Sequence, residues 1–142
     1  MIAQGLVETV APSREHADRL LVQAARHLAN AQASAHDDPE GAYGTLYDAG
    51  RKALWAILAN QGLRPTTRGG HIAAYDVVCA QLDPPLGSQL RPFDRMRRQR
   101  NIAEYPTPDT PDLSAEAVLA DVPKIQTIVE IAERVLDDMS VY

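Results

Sequence analysis

Cysteine is nearly absent: the 142-residue chain carries one, Cys79. A lone thiol excludes an intramolecular disulfide and a zinc site built on a cysteine cluster. It also fits a reducing compartment. Histidine is scarce as well. His16, His27, His36 and His71 are scattered, with no pair at helical metal-binding spacing, so neither a metal nor a cofactor is expected. Nucleophile elbows, P-loops and dinucleotide-binding glycine patterns are missing, and the isolated Gly69-Gly70 pair reads as a turn. No run approaches the roughly 18 uninterrupted apolar residues of a membrane span. The first ten residues have no charged leader or long apolar run, so no secretory signal is expected and a cytoplasmic protein is the default. Strictly alternating β-branched runs are also missing, which removes the main signal for strands.

What the chain does have is helical periodicity, in a length that fits one domain with its own core. Residues 1–12 read as a flexible N-terminal arm closed by Pro12, and 13–142 as a single helical domain. Ser13 caps a first helix reaching about Ala35, whose apolar face is Leu20, Leu21, Ala24, Leu28 and Ala31. Asp38 caps a second, with Pro39 at its first position and Gly62 as its stop. Its stripe is Tyr43, Leu46, Tyr47, Gly50, Ala53, Leu54, Ile57 and Leu58. Gly44 and Gly50 are unusual inside a helix, each about 1 kcal/mol worse than Ala, and close approach of another helix would explain them. A third helix covers about 71–82, with Ile72, Tyr75, Cys79 and Leu82 inward, and a fourth ends at Glu104. Pro106, Pro108 and Pro111 then force an extended loop. The last helix carries Val122, Ile125, Val129, Ala132, Leu136 and Met139. Pro123 puts its expected start at Asp121, leaving 114–120 as a separate short turn of helix. The fold class predicted is an all-α antiparallel bundle of about five helices without a sheet.

Charge is distributed unevenly. The net charge is −5, which disfavours indiscriminate binding of nucleic acid by the whole surface. Yet residues 91–100 hold five arginines and one aspartate, while 113–142 hold six acids and two bases. On a helix, Arg97, Arg100 and Glu104 share one face, and Arg95 and Arg98 lie beside it. Spacing alone favours a solvated basic helix with an Arg100–Glu104 pair. The alternative is an anion site, because guanidinium forks suit phosphate. Tyr43, Tyr47, Tyr75 and Trp55 read as core or helix-contact residues, and Cys79 as a buried, inert thiol.

The segments Leu46-Tyr47-Asp48-Ala49-Gly50-Arg51-Lys52-Ala53-Leu54, Gly70-His71-Ile72 and Arg97-Arg98-Gln99-Arg100-Asn101-Ile102-Ala103-Glu104-Tyr105 resemble the HEPN (higher eukaryotes and prokaryotes nucleotide-binding) domain. The resemblance spans about 13–136. It implies a helical bundle, commonly a homodimer, and in active members a metal-independent RNase whose site is an arginine followed shortly by a histidine. Carried over, the arginine is Arg100 and the polar residue after it is Asn101. Tyr105 stands where the histidine is expected, Pro-Thr-Pro follows, and no histidine comes after Arg100. A phenol is a poor general base near neutral pH, and Glu104 would serve only if burial raised its pKa. The expectation is a HEPN-like domain that binds RNA, a nucleotide or a partner protein through Arg95, Arg97, Arg98 and Arg100, without efficient RNase activity. Two rivals stand beside it. One is an active ribonuclease of toxin or defence type using Arg100, Asn101, Glu104 and Tyr105. The other is a structural adaptor paired with a nucleotidyltransferase or an antitoxin.

Overall fold

In the computed structural model, residues 5, 7–66, 70–82, 86–136 and 138 are described, with side chains for all of these except 70–73. Five long helices form the bundle: α1 (Arg14–Ser34), α2 (Pro39–Gln61), α3 (Gly70–Leu82), α5 (Pro92–Glu104) and α6 (Ala115–Val135). A single turn, α4 (Gly87–Leu90), leads into α5. The all-α class therefore holds. Among the described residues no helix is long and apolar enough to cross a membrane.

Local chemistry sets the helix ends. The Ser13 hydroxyl accepts from the His16 amide, and the Asp38 carboxylate accepts from the Gly41 amide just before Pro39. Gly62 closes α2 at φ 82°, a conformation in which only glycine is unstrained.

Helix α2 is the hub, packing against α1, α3, α5 and α6. Burial consequently spreads beyond the stripe read from sequence, to Ala42, Ala49, Ala56 and Ala59. The α6 row Val122, Ile125, Val129, Ala132 and Leu136 is buried, and α6 lies against α2 and α1. Phe93 of α5 stacks on Tyr47 at a ring separation of 4.8 Å, and Tyr75 of α3 stacks on Phe93 at 5.9 Å. Among the described side chains of α3, Ala74 and Val78 are buried, whereas Tyr75, Cys79 and Leu82 are only partly buried. Met139 and the Ile72 side chain, assigned above to core stripes, lie outside what is described.

Three expectations need correction. First, α6 is one continuous helix from Ala115, with Pro123 inside it, rather than a helix starting at Asp121. The Ser114 hydroxyl caps it by accepting from the Ala117 amide, and complete burial of Val118 holds the extra turns, which together outweigh the proline penalty. Second, a small sheet exists. Strand β1 (Val7–Thr9) pairs antiparallel with β2 (Leu63–Pro65), Val7 opposite Pro65. Val7 is buried, and the Val10 amide donates to the Gly62 carbonyl at 2.8 Å, so the described part of 1–12 is docked on the end of α2. Third, of Gly44 and Gly50 only the second marks a close approach. A Cβ on Gly50 would meet Ile125 at 2.8 Å and Phe93 at 3.1 Å, whereas one on Gly44 would meet nothing within 4 Å.

Candidate functional site

Helix α5 carries the arginines, and its core side decides where they go. Phe93 and Met96 are fully buried, and Arg100 follows Met96 by one turn on the same side. Its guanidinium therefore lies toward α2, centred 5.7 Å from the Tyr47 ring, with the side chain about one-quarter exposed. Arg100 Nη2 pairs with Glu104 Oε2 at 2.7 Å, and Nη1 donates to Asn101 Oδ1 at 3.1 Å. Its Nε is enclosed and makes no hydrogen bond. A buried donor left unpaired costs about 1–3 kcal/mol.

Two further arginines, Arg51 and Arg97, act on the Tyr47 hydroxyl through their charge. Arg51 of α2 stacks on Trp55 at 4.6 Å and pairs with Asp48 at 3.3 Å. Arg97 pairs with Asp94 at 3.3 Å. All three arginines are less than one-third exposed. Burial pushes the Tyr47 hydroxyl up to about 12, against the opposing positive field of Arg97, Arg100 and Arg51. The phenol is therefore neutral and no base.

An open groove of about 380 Å³ runs between the start of α2 and the end of α5. Gly41 and Gly44 form part of its wall, and Glu40, Asp48, Glu104 and Arg100 supply its charge. The open space at Gly44 is this groove, which is why that glycine has no helix against it.

The other arginines go elsewhere. Arg95 Nη2 reaches Asp121 of α6 at 2.7 Å. Asp121 is buried and also accepts from the Tyr43 hydroxyl at 2.7 Å and from Lys124 at 3.0 Å. Burial raises the Asp121 carboxyl, but the hydrogen bonds from Arg95, Tyr43 and Lys124 together outweigh it and leave its pKa below the ordinary carboxylate value. Tyr43 shifts upward, through burial first and its bond to Asp121 second. Arg98 shares Asp94 with Arg97, at 3.1 Å, and stays well exposed.

The candidate site residues therefore separate. Arg100, Asn101 and Glu104 are brought together, and Glu104 rather than Tyr105 holds the guanidinium. Tyr105 is 71% exposed at the end of α5. Arg95 and Arg98 do not join Arg100. Cys79 is half-buried rather than enclosed. Among the described imidazoles none lines the groove. His16 borders an apolar pocket under the ribbon, His36 is exposed, and His27 Nε2 contacts Lys52 Nζ at 2.8 Å. Burial, then Lys52, hold the His27 pKa down, consistent with a neutral ring accepting from the ammonium. The side chain of His71 lies outside the described residues, so its distance from Arg100 does too. Among the described residues no group of three or more His, Cys, Asp or Glu is placed to hold a metal.

Two contributors were not legible as site residues. Asp121 occupies a core-facing position beside Val118, Val122 and Ile125, and an acid in an apolar row is the signal that could have marked it. Arg51 finds its partners Asp48 and Trp55 on its own helix at three- and four-residue spacing, and nothing in that spacing marks it as part of a site. Family models, curated proteins and solved structures offer no match to this chain.

Proposed function

We propose that this helical bundle is a HEPN-like binding domain that takes RNA or a nucleotide through the arginines of α5, without efficient RNA cleavage. The observation that carries the reading is Arg100, half-buried against Tyr47 beside an open groove, with one enclosed donor unpaired. An arginine preorganised in this way suits a phosphate oxygen. Against catalysis stand the lack of any histidine after Arg100 and the exposure of Tyr105. The acids beside Arg100 compete with a phosphate, so binding should be weak and salt-sensitive.

The test pairs an RNA-binding titration across salt with a degradation assay in chelator, for the wild type and Arg100→Ala. Weak, salt-dependent binding with little cleavage is the expected result. Robust cleavage without metal, abolished by Arg100→Ala, would install the ribonuclease reading instead. No binding even at low salt would leave the adaptor reading, with a nucleotidyltransferase or antitoxin as partner. The homodimer implied by the family resemblance belongs to the same proposal, and light scattering that returns a stable monomer mass would remove it.

A further inference from the structure

The outer side of α5 carries a row that the groove does not use. Arg91, Arg95, Arg98, Ile102 and Tyr105 follow one another at steps of four, three, four and three residues, which places them along one face. All five are exposed. The arginines are about 6 and 4.5 Å apart along the axis, at 1.5 Å per residue. Ile102 and Tyr105, at 48% and 71% exposure, are two of the three large apolar side chains that the described residues leave in water. The row thus passes from cationic to apolar-aromatic along a single line, on the side of the helix opposite Phe93, Met96 and Arg100.

We propose that this outer face is a track for single-stranded nucleic acid, with Arg95 and Arg98 on successive phosphates and the Tyr105 ring stacking on an unpaired base. The proposal rests on the reading that α5 binds nucleic acid, and adds which form of it and by which face. Charge complementarity to a polyanion comes from the arginines. The Asp121 and Asp94 carboxylates hold Arg95 and Arg98 in place while leaving each side chain about half or more exposed. A duplex fits poorly. The major groove of A-form RNA is too deep and narrow for side chains to read, and stacked, paired bases offer no face to an exposed phenol. Splayed single strands offer both phosphates and faces, and aromatic stacking on them is tolerant of sequence.

The experiment measures fluorescence anisotropy of a short labelled homopyrimidine RNA and of a duplex of equal length, at low salt, for the wild type, Tyr105→Ala, Tyr105→Phe and Arg98→Ala. Tyr105 and Arg98 are exposed, and circular dichroism checks that the variants stay folded. The track predicts tighter binding of the single strand. It predicts loss of a few-fold to about a hundredfold in Tyr105→Ala, the range of one base stack, and retention in Tyr105→Phe. Arg98→Ala should weaken binding and make the salt dependence shallower by about 0.7 in the log–log slope. Equal binding of duplex and single strand, indifferent to Tyr105→Ala, overturns the track and leaves the nucleic-acid reading standing. No binding of either RNA overturns both. Binding of poly-glutamate in place of RNA, lost in Arg98→Ala and Tyr105→Ala, overturns the track by making the face a dock for an acidic protein segment.

Discussion

The two faces of α5 differ in how their side chains are held. Toward α2, Phe93 and Met96 are sealed, and Arg100 continues their line onto the Tyr47 ring with Glu104 and Asn101 fixing its nitrogens. On the outside, Arg98, Ile102 and Tyr105 stand in water, and Arg95 is tied down by the buried Asp121. The difference shows that a basic run in sequence is not one patch. The same arginine type packs over an aromatic ring on the core side and presents charge on the other, according to where the hydrophobic row sets the helix.

Breaking the tie between the faces should have the largest effect. Asp121→Ala leaves the Tyr43 hydroxyl buried without its acceptor and releases Arg95 and Lys124. A loss of about 3 kcal/mol is expected, seen as a clear fall in the urea midpoint. The same carboxylate gives the domain an acid limb. Because its folded pKa lies below the ordinary carboxylate value, its contribution is complete at neutral pH and fades as pH falls through that range toward the folded value. Asp121→Asn should flatten the acid limb of a stability–pH curve, and an unchanged limb would show that Asp121 is not its source.

Gly44 and Gly50 of α2 sharpen the comparison further. Gly50→Ala drives a methyl into Ile125 and Phe93 beneath α5, so the domain should weaken by about 1 kcal/mol, the low end of overpacking. Gly44→Ala faces the open groove and should stabilise by about 0.5–1 kcal/mol, the ordinary helical gain over glycine. Thermal melts of the pair should move in opposite directions; a fall in both would mean the wall at Gly44 is already packed.

The smallest stability effect belongs to the outer face. Arg98→Ala removes one exposed ion pair and should change stability by less than about 1 kcal/mol.

Much of this architecture was written locally. Ser13, Asp38, Pro39 and Gly62 mark helix ends through their own side chains or backbone freedom, and a 3.6-residue period identified α2 as strongly apolar. The ribbon was not legible, because three-residue strands have no alternation to detect and their partners lie more than fifty residues apart. Pro123 misled because its penalty is local, while the burial of Val118 and Val122 that offsets it is tertiary. The Arg100–Glu104 pair could be read from spacing, since both lie on one helix. The seating of Arg100 over the Tyr47 ring could not, since it needs two helices packed.

A crossed pair of substitutions two residues apart on α5, on its inner and outer faces, scored for both urea midpoint and RNA affinity, tests the division of the helix most directly. Met96→Ala empties a fully buried position and should lower stability by about 2–5 kcal/mol while RNA affinity, measured where the domain is still folded, stays near the wild-type value. Arg98→Ala should do the reverse, holding the midpoint and weakening the RNA complex. An RNA affinity unchanged by Arg98→Ala, with the wild type binding in the same buffer, would contradict the account.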